Sequence, residues 1–364
     1  MYNILFVSGT LAQNGTEMFM MNVLRHIDRS KYHIDFCISS NEMTPNRIEA
    51  ESLGCKIFVL PSRRQGPIKS IIACWKFISA NRGLYDVIHW NTGNLSSIVR
   101  FVIYKHFNIP VRIVHAHSSS AIGIHNIILH KINRIIIPYF CTHRFACSSE
   151  AAKFFYGTKM STIINNGIDV DKFDFDTSFR EEVRHEFGLN KDMLVLGHVG
   201  RFDDNKNHSF LLDVFNCISH KVSNTKLLLV GEGETFDFIK KKIKEKGLEG
   251  KVVMTGPRPD VNKIMQAMDC FVMPSKFEGL PFVLVEAQCS GLPCIISDTI
   301  NPDVKLTDNL EFVSLKLTPQ AWCDIILDKM NHYIRKSQSK EITLRGFSIK
   351  DSVNYLQKIY SCEI

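Results

Sequence analysis

Two carboxylates and the turn between them are the residues of this chain best suited to chemistry. Glu278 and Glu286 flank Gly279-Leu280-Pro281 in "PSKFEGLPFVLVEAQCSGLP", residues 274–293. A pair of carboxylates is typical of glycoside hydrolysis, whereas a turn that opens a helix is suited to binding an anion. Pro281 fits the first helical turn, where its missing N–H removes no hydrogen bond. This segment alone leaves both kinds of site open.

Cationic side chains follow another strand-like run in the same half of the chain. "MLVLGHVG" ends at Gly200, and Arg201 and Lys206 come next, ahead of a helix. Arg and Lys supply a donor fork and a point charge that suit phosphate oxygens, although a solvent-exposed basic turn has the same pattern. Carboxylates near such a site are good acceptors for sugar hydroxyls. Together these residues predict a ligand that carries phosphate and several hydroxyls, which is a sugar nucleotide.

Gly231-Glu232-Gly233 follows the next strand-like run, "KLLLV". A Gly-x-Gly at this place is similar to part of a dinucleotide fingerprint, but the third glycine is missing. The pattern therefore indicates a tight turn beside a ligand, and it disfavours a hydride-transfer enzyme.

Histidines mark the end of a strand in the first half of the chain. His115 and His117 in "VRIVHAHSSS" are two residues apart, so both side chains are expected on one face of a strand. His89 in "VIHWN" is a third candidate. For His115 the alternative is that its side chain hydrogen-bonds only to the neighbouring loop and contacts no ligand.

Short apolar runs alternate with helical patterns along the whole chain. This alternation predicts βαβ units and parallel sheets covered by helices on both faces. It runs from "NILFVS" to "VRIVHAHS" and restarts at "MLVLGHVG", while the polar "NNGIDVDKFDFDTSFR" between them is typical of a linker. We therefore expect two doubly wound α/β domains, residues 1–170 and 171–346, with a cleft between them. Ligands of such sheets bind beyond the carboxyl ends of the strands.

Length and composition exclude several classes of protein. At 364 residues the chain exceeds the size at which single cores stop growing, and its apolar fraction of 45% is that of a globular protein. The start, "MYNILFVSG", has no signal-peptide pattern, and no apolar run reaches the length of a membrane span. The 11 cysteines include no CxxC pair. Reduced thiols and a cytoplasmic location are therefore expected.

Positive charge is concentrated in the first half. Residues 1–164 contain 18 Lys and Arg against 8 Asp and Glu, whereas the rest contain 26 against 29. The excess favours an anionic surface or substrate, with a solvated face as the alternative.

For the apolar segment "IGIHNIILHKINRIIIPYF", residues 122–140, we expect a core helix. The alternative is a basic amphipathic surface on anionic lipid, to which Arg63, Arg64 and Lys69 would add.

Taken together, the motifs resemble the retaining GT-B glycosyltransferases of family four, known as glycosyl transferases group 1, and in particular those of capsular and exopolysaccharide biosynthesis. The resemblance rests on "VGRF…NKNH", "VGEGE", "NNGID" and "PDVNKIMQAMDCFVMPSKFEGLPFVLVEAQCSGLP". It covers most of the chain and is densest in residues 163–297. It implies the GT-B fold, two Rossmann-like domains facing across a cleft, with a final helix within residues 347–364 that packs back on the first domain.

The resemblance also implies roles for single residues. Arg201 and Lys206 would hold the donor diphosphate, Glu286 the ribose hydroxyls, and Glu278 the donor sugar near its reacting carbon. His117 would contact the donor sugar or the acceptor hydroxyl, so the catalytic set is His117, Glu278, Arg201 and Lys206. The remaining donor contacts that it implies are Gly15, Gly200, Gly231, Asp260, Val261, Gly279, Leu280, Pro281, Phe282 and Val283.

One position departs from the family pattern. Asn14-Gly15 stands where the family usually has two adjacent glycines. Asn tolerates left-handed backbone conformations, so we expect the loop to be kept, while the role of the first glycine is in doubt.

The implied reaction is retaining transfer of a hexose from a nucleotide diphosphate, preferably UDP, to an acceptor hydroxyl. The expected acceptor is a saccharide or a lipid-linked oligosaccharide of surface-polysaccharide synthesis, at an anionic membrane surface on the inner face of the cell membrane. No nucleic acid partner, cofactor or metal is expected, and two Asp-x-Asp pairs in the linker are interpreted as solvated charges. The alternatives are a nucleotide-sugar epimerase of the same fold and a non-catalytic sugar-nucleotide-binding scaffold.

Overall fold

Runs of branched and aromatic residues form strands that are buried on both faces. Ile4, Leu5, Phe6 and Val7 are consecutive, and all four are buried, as central strands of a helix-covered parallel sheet require. A computed structural model of the chain describes residues 1–12, 14–121 and 123–363. Gln13 of the loop before Asn14, Ile122 of the apolar segment and Ile364 of the predicted last helix lie outside the described residues.

The chain divides into two compact units. Unit 1 consists of Met1–Gly167 together with Ser348–Ile364, and unit 2 consists of Ile168–Phe347. Each unit has its own parallel sheet, of seven strands in unit 1 and six in unit 2 as described. The two units are therefore separate α/β layers of the doubly wound kind.

Unit 1 has the strand order β3-β2-β1-β4-β5-β6-β7. Its strands are β1 Tyr2–Val7, β2 Tyr32–Ile38, β3 Ile57–Val59, β4 Val87–Thr92, β5 Val111–Ala116, β6 His143–Ala146 and β7 Thr162–Ile163. Its helices are α1 Gly15–His26, α2 Pro45–Ser52, α3 Pro67–Ala80, α4 Val99–His106, α5 Ile124–Ile136, α6 Ser149–Tyr156 and, from the end of the chain, α15 Ile349–Tyr360.

Unit 2 has the strand order β10-β9-β8-β11-β12-β13. Its strands are β8 Leu194–Val199, β9 Thr225–Val230, β10 Val252–Gly256, β11 Cys270–Met273, β12 Cys294–Ser297 and β13 Leu310–Val313. Its helices are α7 Val170–Phe173, α8 Thr177–Glu186, α9 His208–Lys221, α10 Phe236–Glu245, α11 Val261–Ala267, α12 Phe282–Cys289, α13 Pro319–His332 and α14 Ser339–Leu344.

Helix α15 belongs to unit 1 although it follows all of unit 2 in the sequence. Val353, Leu356 and Tyr360 are buried on its inner face. The Tyr32 hydroxyl donates to the carbonyl of Gln357 at 3.1 Å, and the Gln357 side chain accepts from the backbone of Asp28 at 2.9 Å. Both ends of the chain therefore complete the same unit.

The apolar segment at residues 122–140 does not form the core helix that we expected. In α5 the one buried residue among those described is His130, whereas Ile124, Ile132 and Ile135 are 79%, 50% and 65% exposed. The expectation was wrong because the polar side chains of this helix, and not its isoleucines, face unit 1. No described helix is long and apolar enough to span a bilayer.

Candidate functional site

The loops that follow β8 and β11 carry the cationic and acidic residues of unit 2. The strand order reverses between β8 and β11, which are hydrogen-bonded neighbours, so the loops at their carboxyl ends lie side by side. The backbone N–H of Lys276 donates to the Asn205 carbonyl at 2.8 Å, and the Asn207 side chain donates to the Pro274 carbonyl at 3.2 Å. Residues 200–207 and 274–286 therefore form one connected surface, which we call the donor-side cluster.

Lys206 and Glu278 meet at the centre of the donor-side cluster. The Lys206 Nζ lies 2.7 Å from Glu278 Oε1, and both side chains are mostly buried. The Asn205 amide donates to the same oxygen at 3.0 Å and to the Phe277 carbonyl at 2.8 Å. Both recorded partners of the carboxylate thus use Oε1, and Oε2 has none within the described part of the chain.

Arg201 adds a second cation to the loop that carries Lys206. Its side chain is exposed, and no hydrogen bond or ion pair holds its guanidinium among the described residues. Gly200 precedes it, and a Cβ at Gly200 would lie 3.3 Å from Lys206 Cε and 3.1 Å from His198 Nε2. A residue larger than glycine would therefore press on the lysine that pairs with Glu278.

Helix α12 begins at Phe282, with Pro281 as its N-cap. The side chains of Leu280 and Phe282 pack against a hydrophobic cluster of unit 2, and Val283 packs against another. These residues therefore offer a ligand their backbone groups, and the first helical amides favour an anion. The helix therefore starts one residue later than it would with Pro281 in the first helical position.

Glu286 lies in the second turn of α12 with an unusual protonation equilibrium. Burial raises the pKa of its carboxyl to about 7, because desolvation disfavours the charged form. Glu278 is held by two donors, whereas Glu286 has no recorded hydrogen-bond partner among the described residues. Of the two carboxylates predicted from the sequence, Glu278 thus lies in the loop before α12 and Glu286 lies within the helix, each with different hydrogen-bond partners.

Gly231 and Gly233 are required by close contact between two loops. A Cβ at Gly231 would lie 2.1 Å from the Gly200 carbonyl oxygen, and one at Gly233 would lie 2.4 Å from the Phe202 carbonyl oxygen. Both glycines have positive φ, 132° and 154°. The Gly-x-Gly turn therefore supports the loop that carries Arg201, in addition to any contact with a ligand.

Asp260 is tied to Arg258 at the start of α11. The Arg258 guanidinium donates to both carboxylate oxygens, at 2.8 and 2.7 Å, and also pairs with Glu186 at 2.7 Å. The hydrogen bonds from Arg258 lower the pKa of Asp260. Because these side chains are occupied by one another, the backbone around Asp260 and Val261 is what remains to contact a ligand.

In unit 1, three histidines and a tyrosine form a buried chain. The His89 Nδ1 lies 2.7 Å from the Tyr360 hydroxyl, and its Nε2 lies 3.1 Å from His115 Nδ1. The rings of His115 and His117 are 4.2 Å apart, so the two do share one face. The His117 Nε2 lies 3.0 Å from Asn91 Oδ1. Burial lowers the pKa of His117 to about 3, so its ring is neutral at physiological pH.

A polar cavity of about 360 Å³ lies at the carboxyl ends of β1, β2 and β4 in unit 1. The strand order reverses between β1 and β4, which is where such sheets bind ligands. Glu17 faces the cavity; its Oε1 accepts from the Thr10 hydroxyl at 3.0 Å, and burial raises its pKa. The other lining residues with polar side chains include Ser8, Ser39, Arg63, Arg64, Asn91, Thr92, Asn94, Ser96, Arg100 and Asn126.

The loop at Asn14-Gly15 differs from its expected conformation. Helix α1 begins at Gly15, and Asn14 is its N-cap with φ −106° and ψ 172°. This backbone is extended, so the left-handed conformation that Asn tolerates is not used. Gly15 therefore belongs to the first helical turn.

Several residues of these clusters were not predicted. Asn205 lies inside the "NKNH" motif and was within reach of sequence reasoning as a neighbour of Lys206. Tyr360 and Asn91 carry no local signal, because their histidine partners lie far away in the sequence. Glu17 was not predicted to line a cavity, since an acid in the first turn of a helix is common for dipole reasons alone. Within the described residues, no group of three or more His, Cys, Asp or Glu side chains is arranged to hold a metal ion.

Comparisons with known proteins agree with this geometry. The model of the family described as "Glycosyl transferases group 1" matches residues 179–319. The chain is 31% identical to the putative glycosyltransferase EpsF of Bacillus subtilis (strain 168), over 98% of this chain and 96% of EpsF. It is 25% identical to the UDP-Gal:alpha-D-GlcNAc-diphosphoundecaprenol alpha-1,3-galactosyltransferase of Escherichia coli, over 80% of this chain and 79% of that protein.

The fold is also that of a solved structure. The crystal structure of Anabaena Alr3699/HepE in complex with UDP matches with a TM-score of 0.78 and 18% sequence identity, over 100% of both chains. The GT-B fold class that the sequence predicted is confirmed. The motifs at the ends of β8 and β11 lie inside the matched family region, and the similarity to EpsF spans nearly the whole chain. The chain therefore belongs to the glycosyl transferases group 1 family, family four of the GT-B glycosyltransferases.

Proposed function

We propose that this glycosyltransferase moves a hexose from UDP to a hydroxyl of a lipid-linked oligosaccharide, with retention at the anomeric carbon, in surface-polysaccharide synthesis. The observation that carries the proposal is the Lys206–Glu278 pair at 2.7 Å, with Arg201 and the start of α12 in the same cluster. A cation and a carboxylate side by side match the junction between a sugar and its diphosphate.

The leaving diphosphate would be neutralised by protein groups. Arg201 is exposed and without a partner among the described residues, Lys206 follows five residues later in the same loop, and α12 contributes its first amides. Donors aimed at the place where charge develops stabilise the transition state more than the ground state. We therefore propose that the reaction needs no metal ion.

Glu278 would bind the donor sugar through its second oxygen. Lys206 and Asn205 both contact Oε1, which fixes the carboxylate and leaves Oε2 for hydroxyls. An ionised carboxylate accepts several hydrogen bonds. Held in this way, Glu278 orients the sugar without having to act as a nucleophile.

The acceptor would bind in unit 1. Its polar cavity combines Arg63, Arg64 and Arg100 with hydroxyl and amide side chains, which suits a ligand with both phosphate and sugar groups. The neutral His117, whose Nδ1 has no hydrogen-bond partner among the described residues, would contact a hydroxyl of the donor sugar or the acceptor. The named substrates of the E. coli relative, UDP-Gal and a diphosphoundecaprenol-linked sugar, support the same classes here.

The direct test is a transfer assay with a panel of UDP-sugars and synthetic lipid-diphosphate saccharides, run with and without EDTA. We expect one donor to give a product with retained anomeric configuration, at the same rate in EDTA. Glu278→Gln is expected to lower kcat by about 100-fold or more, as removal of a preorganised polar contact does, while UDP binding is kept. Glu249→Gln, at an exposed glutamate of unit 2, is the matched control and should not change kcat.

Other outcomes identify the alternatives. Conversion of the UDP-sugar to its epimer without any acceptor would show a nucleotide-sugar epimerase. UDP-sugar binding with neither transfer nor slow donor hydrolysis, for every sugar tested, would show a scaffold. Loss of activity in EDTA that added metal restores would contradict the proposed metal-independent departure of UDP.

A further inference from the structure

Four polar side chains lie together on the neighbouring strands β4 and β5 of unit 1. His89 and Asn91 are two residues apart in β4, and His115 and His117 are two residues apart at the end of β5 and directly after it, so the members of each pair share a face of the sheet. The register pairs Asn91 with His115, and the backbone N–H of His117 donates to the Thr92 carbonyl at 3.0 Å. Asn91 therefore lies beside both histidines that follow from β5.

The orientation of the Asn91 amide follows from its hydrogen bonds. One end of the amide lies 3.2 Å from the carbonyl oxygen of His89. A carbonyl oxygen only accepts hydrogen bonds, so this end is the NH2 group. The other end, Oδ1, lies 3.0 Å from Nε2 of His117. Because an amide oxygen also only accepts, Nε2 of His117 carries a hydrogen.

The second nitrogen of His117 is then a hydrogen-bond acceptor. Burial lowers the pKa of His117 to about 3, so the ring is neutral at physiological pH. A neutral imidazole has one N–H donor and one acceptor, which puts the lone pair on Nδ1. This atom is buried and has no hydrogen-bond partner among the described residues. His117 therefore has an unused acceptor and no unused donor.

The titratable neighbours of His117 favour a neutral ring. Burial lowers the pKa of His115 and of His89 well below the ordinary value. Helix α1 contributes Phe19, whose ring centre lies 5.4 Å from that of His117, and burial raises the pKa of Glu17, the acid of that helix. The amide on β4 therefore decides, through its hydrogen bond to Nε2, which nitrogen carries the proton.

We propose that Asn91 is a positioning residue of the transfer reaction, which fixes the hydrogen of His117 on Nε2 and so makes Nδ1 the acceptor for a substrate hydroxyl. The inference rests on the proposed function, in which His117 contacts a hydroxyl of the donor sugar or the acceptor. It adds the direction of that contact, because the hydroxyl donates and the histidine accepts. Asn91 also lines the polar cavity of unit 1, the place proposed for the acceptor.

Nuclear magnetic resonance of the full chain with 15N-labelled histidine tests the assignment without any substrate. At pH 7.5 we expect His117 signals of a protonated Nε2 and a bare Nδ1, recognised by their absence in His117→Gln. In Asn91→Leu, whose side chain has a similar shape but accepts no hydrogen bond, the two neutral forms should be mixed. A hydrogen on Nδ1, or on both nitrogens, in the unmodified protein would overturn the proposal.

Tyr360→Phe is the matched control. It also removes a buried hydrogen bond to a histidine of this cluster, that of the Tyr360 hydroxyl to His89 at 2.7 Å, but it leaves the contact between Asn91 and His117 in place. The His117 signals should therefore be those of the unmodified protein. The same mixing of neutral forms in Tyr360→Phe as in Asn91→Leu would show that Asn91 does not set the position of the hydrogen.

Asn91→Asp keeps an acceptor for Nε2 but adds a negative charge. A carboxylate at hydrogen-bond distance raises the pKa of a histidine by about 1–3 pH units, and the charged ring no longer has a lone pair on Nδ1. We expect Asn91→Asp to keep its kcat at pH 8 and to lose it at lower pH in step with the titration of His117 seen by magnetic resonance. Asn91→Leu should instead lose about tenfold in kcat at every pH, the usual effect of one hydrogen bond, with the Kd for UDP unchanged.

These kinetics distinguish the failure of this inference from the failure of the proposed function. Transfer by both Asn91 variants with the kcat and the pH profile of the unmodified protein, in variants that melt normally, would overturn the role of Asn91 alone. Absence of transfer by the unmodified protein with every donor and acceptor would overturn the proposed function itself.

Discussion

Glu286 combines a half-buried position with a proposed role, binding the ribose hydroxyls of the donor, that is best served by a negative charge. A carboxyl whose pKa is about 7 is only half ionised at neutral pH, and its protonated form is a poorer acceptor for two ribose hydroxyls. Donor binding should therefore depend on pH in the physiological range.

We predict that the KM for the UDP-sugar falls as pH rises from 6 to 8. A group with this pKa changes from about one tenth to about nine tenths ionised across that range, so the fall should approach tenfold. Initial-rate kinetics at fixed ionic strength measure it. Glu286→Gln should give a higher KM that no longer changes with pH, whereas a pH-dependent KM that persists in Glu286→Gln would assign the titration to another group.

The raised pKa of Glu286 also makes the stability of the protein depend on pH. As pH rises, donor binding should improve whereas stability should decrease. The unfolded carboxyl ionises near its ordinary value of 4.5, while the folded one keeps its proton up to about 7. The free energy of unfolding should therefore fall as pH rises from 4.5 through 7. We expect no such fall in the free energy of unfolding of Glu286→Gln. Denaturation at several pH values is therefore a second measurement of the ionisation of Glu286.

Sequence reasoning found the residue types of the donor-side cluster but not their pairing. Motifs place Lys206 and Glu278 at the ends of two strands, and the reversal of strand order brings those ends together. The direct ion pair depends on the rotamers of both side chains and on Asn205, which no local pattern specifies. The histidine–Tyr360 chain was out of reach for the same reason, since the contact joins residues 271 positions apart.

At the scale of elements, the turn after β9 supports the loop after β8. Gly231 approaches the Gly200 carbonyl so closely that a Cβ would lie 2.1 Å from the oxygen. The loop with Arg201 and Lys206 therefore depends on a glycine that need not touch the ligand itself.

We predict that Gly231→Ala lowers the free energy of unfolding by about 1–3 kcal/mol, the range for forced overpacking, and weakens UDP binding by displacing Gly200. Chemical denaturation and calorimetric titration with UDP measure the two effects. Gly250→Ala is the matched control, because a Cβ there meets no atom within 4 Å and its φ is not positive. Equal stability and equal UDP affinity of both variants would contradict this account of the turn.

The sequence predicted which segments are helices or strands better than it predicted where they begin or which face of a helix is buried. Residues 95–107 have a helical pattern, but α4 begins at Val99, because the backbone of Leu95 is bonded to His130 and Asn133 of α5. The segment at 122–140 is helical as expected, yet its apolar stripe points outward. Periodicity reveals that a helix has two faces, but which one meets the core is decided by tertiary contacts.

At the scale of the whole molecule, α15 closes unit 1 from the far end of the chain. Its inner face carries Val353, Leu356 and Tyr360, all buried, and Tyr360 bonds to His89 in the centre of the sheet. The described sheet of unit 2 is formed by strands β8 to β13.

We predict that deletion of residues 348–364 unfolds unit 1 and leaves unit 2 folded. Removing the helix exposes the apolar surface of α1 and leaves the His89 Nδ1 without its buried partner, which is costly. Differential scanning calorimetry should lose one transition, while titration with UDP still detects binding. The control deletion begins after Tyr360 and keeps α15, so it should melt like the full chain; two transitions in the longer deletion would refute the prediction.

The discontinuous make-up of unit 1 also sets the order in which the chain can fold during translation. Domains generally fold as they emerge, the N-terminal one first. Here residues 168–347 leave the ribosome before Ser348–Tyr360, so unit 2 has its full sequence available while unit 1 still lacks a helix. The first unit to be synthesised is therefore the second to be completed, and until then its uncovered apolar surface is a substrate for chaperones.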